Sequence, residues 1–175
     1  AYASGMAAIT AVFDLFSPGD HLIATDDIYG GSLRLRSTVG KKNGLETESV
    51  DTTDLAALKA AIRPNTKAIF IETPSNPMMK VSDIAAISEL AKANNCLLIV
   101  DNTFLSPYFQ QPLDLGADIV VHSGTKYLGG HNDVIAGFTV TKDEALYQRL
   151  NYLYKTTGAC LPPMDSWLVL RGIKT

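Results

Sequence analysis

Three short segments of this chain carry unbroken apolar runs: "AIFI" (68–71) within "KAIFIE", "LLIV" (97–100) within "LLIVD" and "IVV" (119–121) within "DIVVHS". A strand with one wet face alternates apolar and polar residues. A strand that stays apolar throughout needs cover on both faces. Between these runs the spacing changes to that of helices. Ile84, Ile87 and Leu90 fall on one face, with Glu89 and Lys92 on the other, and Leu55, Leu58 and Ile62 repeat the pattern upstream. Strands covered on both sides and alternating with helices define an α/β, three-layer αβα domain with a mostly parallel sheet.

The punctuation sets the expected boundaries. Ser4 caps a first helix running through Phe16, stopped by "SPGD" at 17–20, and "HLIAT" at 21–25 is a strand. A helix spans about Gly31 to Gly40, and "LETESV" at 45–50 is the next strand. Thr53 is expected to cap the third helix, which Pro64 ends, and Ser82 the fourth. "DVIAGFTVT" at 133–141 reads as a last strand before a long helix from about Lys142.

At 175 residues the chain is long enough for one domain with a sizeable core. A net charge of −3 leaves no electrostatic footprint for nucleic acid. Apolar runs such as "CLLIV" at 96–100 are too short to cross a bilayer, and no basic segment leads into an apolar one as in a secretory signal. Cys96 and Cys160 are expected to be reduced core residues of a cytoplasmic protein. His21, His122 and His131 lack metal-site spacings, which leaves them structural roles. Helix-like sequence starts almost at once, and "WLVLRGIKT" ends the chain inside another helical pattern. Residues 1–175 are therefore expected to be a single, incomplete domain of a longer protein.

In open α/β sheets ligands bind beyond the carboxyl ends of the strands. The residues there are Asp26, Asp27 and Tyr29; Glu72, Ser75 and Asn76; Asp101, Asn102 and Thr103; and Ser123, Thr125 and Lys126. The helix start "SGMAA" adds open backbone N–H groups at Gly5 and Met6, and with Ser123 and Thr125 these suit a phosphate. Asp101 could keep a ligand ring nitrogen protonated. Lys126, partly desolvated in a site, would become nucleophilic and form a Schiff base with an aldehyde. Each has an ordinary alternative: a helix cap at Ser4–Gly5, an N-cap at Asp101, a solvated lysine at the end of a strand. Together they are the parts that hold pyridoxal 5′-phosphate.

With "SGMAAI" (4–9), "YGGSLRL" (29–35), "ETPSNP" (72–77), "VDNTF" (100–104), "PLDLGADIVVHSGTKYLGGHNDVIAG" (112–137) and "DSWLVLRGIKT" (165–175) in order, the chain resembles the Cys/Met-metabolism family of pyridoxal-phosphate enzymes. The resemblance implies the large cofactor-binding domain of the aspartate-aminotransferase-like fold. Lys126 then corresponds to the Schiff-base lysine and Asp101 to the partner of the pyridine nitrogen. Tyr29 corresponds to the aromatic that stacks on the cofactor ring and assists substrate exchange at the Schiff base, with Thr103 against the other ring face. Gly5, Met6, Ser123 and Thr125 correspond to phosphate ligands, and Asn76 to a contact of the cofactor hydroxyl or substrate. "GGHND" would shape the wall beyond Lys126.

The implied activity is carbon–sulfur bond chemistry on sulfur amino acids, cystathionine γ-synthase or β-lyase first. The alternatives are cystathionine or methionine γ-lyase, O-acylhomoserine sulfhydrylase, an aminotransferase or decarboxylase on the same fold, or a non-catalytic cofactor-binding fragment. Implied substrates are cystathionine, or O-acylhomoserine with cysteine. The resemblance also implies homotetramers built from dimers, together with an N-terminal arm and a smaller C-terminal domain that are not in this sequence.

Overall fold

The computed structural model describes residues 1–175. Six strands form one sheet: β1 (His21–Thr25), β2 (Glu46–Val50), β3 (Thr66–Glu72), β4 (Leu97–Asp101), β5 (Ile119–Ser123) and β6 (Gly137–Val140). Their order is β2-β1-β3-β4-β5-β6. All neighbours are parallel except β5 and β6, which run antiparallel. The helices are α1 (Gly5–Phe13), α2 (Gly30–Arg34), α3 (Leu55–Ala61), α4 (Ile84–Ala93), α5 (Ser106–Phe109), α6 (Glu144–Thr157) and α7 (Pro163–Ile173). The chain after α2 continues as π-helical turns over Leu35–Gly40.

The continuously apolar strands are covered on both faces, as their composition requires. Phe70, Ile99, Ile119 and Val121 join a core with α1 and α6, whereas Ile69, Ile71, Leu98, Val100 and Val120 join a second with α3 and α4. Neighbours along one strand thus alternate between two dry layers.

Several boundaries differ from those read in the sequence: α1 ends at Phe13 rather than Phe16, and the helix expected over about Gly31 to Gly40 is α2 followed by π-helical turns. Asp54, not Thr53, caps α3 through the Ala56 and Ala57 N–H groups, because the Thr53 hydroxyl donates to Asp51 at 2.7 Å. Asp83, not Ser82, caps α4, because Ser82 is buried in a hydroxyl chain with Thr52 and its N–H donates to Thr73. The last strand is only four residues, Gly137–Val140: Ala136 before it trades hydrogen bonds with the Thr125 hydroxyl rather than joining the ladder. Cys96 is buried as expected, but Cys160 is exposed.

Two close approaches set α1 against the sheet. A Cβ at Gly5 would lie 2.8 Å from the Cβ of Ser123, and one at Gly137 would overlap the Ser4 carbonyl. Only glycine lets the start of α1 touch the end of β5 and the start of β6. Gly137→Ala is expected to cost about 1–3 kcal/mol through overpacking against rigid backbone, read as a lowered midpoint in urea denaturation of the full-length protein.

Candidate active site at the carboxyl edge of the sheet

β1, β3, β4 and β5 end on the same edge of the sheet, and beside their ends lies a cavity of about 580 Å³. It is lined by every residue to which the sequence assigned a cofactor or substrate role: Gly5, Met6, Tyr29, Asn76, Asp101, Thr103, Ser123, Thr125 and Lys126; of the other strand-end residues, Asp26, Asp27, Ser75 and Asn102 do not line it. Residues as far apart in sequence as Ser4 and Ile135 meet there because parallel strands deliver all their ends to one side.

At one side lies the start of α1. The Ser4 hydroxyl accepts from the Ala7 N–H at 3.0 Å and the Ser4 carbonyl from the Ala8 N–H at 3.1 Å. The N–H groups of Gly5 and Met6 come one turn too early for partners inside the helix and stay open. The Ser123 hydroxyl makes no hydrogen bond of its own and sits against Gly5. Thr125 is less free, since its hydroxyl accepts from the Ala136 N–H at 3.1 Å and donates to the Ala136 carbonyl at 3.3 Å. To donate to a ligand it must turn its proton away from that carbonyl.

Asp101 closes β4 and is buried. One oxygen, Oδ1, accepts from the Thr103 hydroxyl at 2.5 Å and from the Thr103 N–H at 3.0 Å. Oδ2 has no protein partner. Burial pushes the carboxyl above the usual range, and the two bonds from Thr103 only partly oppose it. Such a group favours its charged form only when a cation faces it. The Thr103 hydroxyl also accepts the Ser123 N–H at 2.8 Å, so it ties the end of β4 to the end of β5. A role for Thr103 in holding Asp101 was not visible in sequence.

Lys126 follows β5 on a turn in which its N–H donates to the Ser123 carbonyl at 3.2 Å. Its side chain lines the cavity yet is exposed, not desolvated as the sequence reading supposed. Gly129 allows the return of the chain: a Cβ there would lie 2.6 Å from Val134 and 2.8 Å from the Gly124 carbonyl. The segment after it contributes Gly130 and Asn132 to the cavity wall. Tyr29 is 45% exposed and stands at the N-cap of α2. Asn76 is half-buried beyond β3.

Glu72 also lines this cavity, and the sequence reading gave it no role. Its position as the last residue of β3 was the available signal. Burial pushes its carboxyl up to about 8; the Tyr29 N–H opposes this, while Asp101 and Asp27 add to it. His122, the residue before Ser123, is buried with Nδ1 unpartnered, and burial lowers it to about 4. Like His21, whose buried Nε2 also lacks a hydrogen-bond partner, it is less fully satisfied than expected. No group of three or more histidine, cysteine or acidic side chains is placed to hold a metal.

A cavity with open N–H groups and a hydroxyl at one side and an uncompensated carboxylate at the other suits a ligand that carries both a phosphate and a protonated ring nitrogen. This is the ligand of the pyridoxal-phosphate-dependent class of αβα proteins. The family model described as Cys/Met metabolism PLP-dependent enzyme, PLP being pyridoxal 5′-phosphate, matches residues 1–175, and the chain belongs to that family. It is 55% identical over 175 residues to cystathionine gamma-lyase of Bacillus subtilis, covering all of this chain and 46% of that protein. It is equally similar, with the same coverage, to cystathionine beta-lyase of Lactococcus lactis subsp. cremoris. Against cystathionine gamma-synthase of Haemophilus influenzae the identity is 52%, covering all of this chain and 48% of that protein.

Among solved structures, cystathionine gamma-lyase from Lactobacillus plantarum complexed with L-serine superposes with a TM-score of 0.98 at 56% identity, over 99% of this chain and 46% of that one. The chain spans about half the length of the curated relatives it matches.

The state of Glu72 has a measurable consequence. Its unfolded carboxyl ionises near 4.5, whereas the folded one holds its proton to about 8. Its contribution to stability is therefore complete below about pH 4.5 and is lost as pH rises toward 8. In cofactor-stripped full-length protein, the stability difference between wild type and Glu72→Gln should shift in favour of the variant across that interval. Denaturant midpoints at pH 5 and pH 8 measure it.

Proposed function

We propose that the protein is a pyridoxal-phosphate-dependent enzyme that makes or breaks carbon–sulfur bonds of sulfur amino acids. The observation that carries this reading is the buried Asp101, with Oδ2 unpartnered, on the same cavity as the Lys126 amine and the open start of α1. The family to which the chain belongs supports the cofactor, and the names of its relatives support the substrate class.

In this reading the N–H groups of Gly5 and Met6 and the hydroxyls of Ser123 and Thr125 bind the phosphate. Asp101 holds the proton of the ring nitrogen, and Thr103 holds Asp101. Tyr29 covers one ring face, and Asn76 contacts the ring hydroxyl or the substrate. When bound, pyridoxal phosphate supplies an aldehyde for covalent attachment of an amine and a protonated ring that accepts an electron pair. The Lys126 amine would hold the cofactor aldehyde, and as a free amine it would move the Cα proton of a substrate. Such positioned proton transfer contributes on the order of 10² to 10⁴ in rate. A lysine that is open to the cavity mouth can be displaced and can return without rearrangement of the strand that carries it.

The chemistry shared by β-elimination, γ-elimination and γ-replacement resides in these residues. Relatives named for each of the three reactions lie at 55, 55 and 52% identity, so the site common to them is the firmer part of the reading. Cystathionine γ-synthase and β-lyase remain the first assignments, with γ-lyase and O-acylhomoserine sulfhydrylase beside them.

Product analysis separates these. From cystathionine and water, β-elimination gives homocysteine, pyruvate and ammonia, whereas γ-elimination gives cysteine, 2-oxobutyrate and ammonia; γ-replacement converts O-acylhomoserine and cysteine to cystathionine with release of the acyl carboxylate. Lys126→Ala in the full-length protein should remove the visible absorbance of the covalently held cofactor and lower turnover by at least about 10², as loss of a general base does. An unchanged spectrum with unchanged turnover would overturn the role of Lys126. Release of a keto acid with aminated cofactor and no thiol would favour an aminotransferase.

A further inference from the structure

Tyr29 is poorly held by its own segment. It is the N-cap of α2, yet its side chain makes no capping bond, and the two residues after it are glycines. Glycine retains more backbone freedom than any other residue, so "YGG" is a loose hinge unless something outside it intervenes. In a capping box the side chain of the third helical residue reaches back to the N-cap N–H. Here that third residue is Ser32, whose buried hydroxyl has no partner at all. The acceptor comes instead from Glu72, 43 residues away at the end of β3, with Oε2 3.0 Å from the Tyr29 nitrogen. Glu72 is itself 5% exposed, and its own N–H donates to the Thr25 hydroxyl at 3.3 Å, which fixes it to the end of β1.

The ring has a seat as well as an anchor. A Cβ on Gly31 would overlap Tyr29 Cε1 and lie 2.7 Å from Met6 Sδ. The Tyr29 ring therefore packs where that Cβ would be, beside the methionine whose N–H faces the cavity. Removing the Glu72 bond leaves this seat intact but frees the backbone that delivers the ring to it.

We propose that Glu72 is a positioning residue for the cofactor: by taking the Tyr29 N–H it sets the height and tilt of the aromatic ring over the cavity. The inference rests on the reading of the cavity as a pyridoxal-phosphate site. It is a claim about a hydrogen bond and not about charge, since a carboxyl, a carboxylate and an amide all present an oxygen to that N–H.

The test uses full-length wild type and the variants Glu72→Ala, Glu72→Gln, Tyr29→Ala and the double variant Glu72→Ala/Tyr29→Ala. Two quantities are read: the Kd for pyridoxal phosphate and the visible circular dichroism of the bound cofactor, which reports how asymmetrically the ring is held. Glu72→Ala should raise Kd by about tenfold, the worth of one hydrogen bond, and diminish the dichroism. Glu72→Gln should restore both. With Tyr29 already removed, Glu72→Ala should add less than about twofold, because coupled residues are non-additive.

Equal effects of Glu72→Ala with and without Tyr29 would overturn the proposal, as would a Glu72→Ala variant that matches wild type. A Glu72→Gln variant as impaired as Glu72→Ala would overturn it too, by making charge the operative property. Wild type that takes up no pyridoxal phosphate overturns the underlying reading; wild type that binds it normally beside an unaffected Glu72→Ala overturns this inference alone.

Discussion

One hydroxyl group holds the candidate site in register. Thr103 Oγ1 donates to Asp101 and accepts from the Ser123 N–H, so it joins the end of β4 to the end of β5 where the two chains begin to part. On the β4 side is the carboxylate that faces the cavity. On the β5 side are the hydroxyl set against α1 and, three residues on, the lysine. The spacing between Asp101 and Ser123 is therefore fixed by a side chain whose partners are both protein atoms. A hydroxyl is suited to this because it donates and accepts at once.

The burial of acidic groups at this edge follows from the same construction. Glu72 and Asp101 are paired in register on adjacent strands and both are buried. Burial raises both carboxyls. They differ in what satisfies them. Asp101 receives two bonds on one oxygen and has the other open, whereas Glu72 receives a backbone N–H from the next layer of the site. Two like carboxylates side by side cannot both ionise cheaply without a cation between or opposite them. The edge thus distinguishes a carboxyl that meets a cationic ligand from one that can remain neutral and serve as a structural acceptor.

Much of this was legible in the sequence, for physical reasons. Continuously apolar strands require cover on both faces, so the αβα class and the parallel sheet could be read from "LLIVD" and "KAIFIE". The edge of a parallel sheet collects the strand ends, so Asp101, Ser123 and Lys126 could be placed together without knowing the strand order. What escaped was set by partners distant in sequence. Thr53 and Ser82 have capping side chains, but hydroxyls committed to Asp51 and Thr52 left the caps to Asp54 and Asp83. The link from Glu72 to Tyr29 joins the end of β3 to the N-cap of α2, 43 residues apart with no shared pattern. The exposure of Lys126 depends on the turn that follows β5, not on the apolar run before it.

The gathering of residues from Ser4 to Ile135 around one cavity also bears on how the chain reaches its native state. No short segment carries the site, and no unfolded conformer brings a helix start beside the ends of β4 and β5. The ligand can therefore recognise only the closed sheet. Pairings of this kind form late, because the entropy of closing long loops is spent before the contacts are made. A ligand that binds the native state alone draws the equilibrium toward it by mass action. A ligand held at this edge would in that sense be a folding ligand as well as a chemical one.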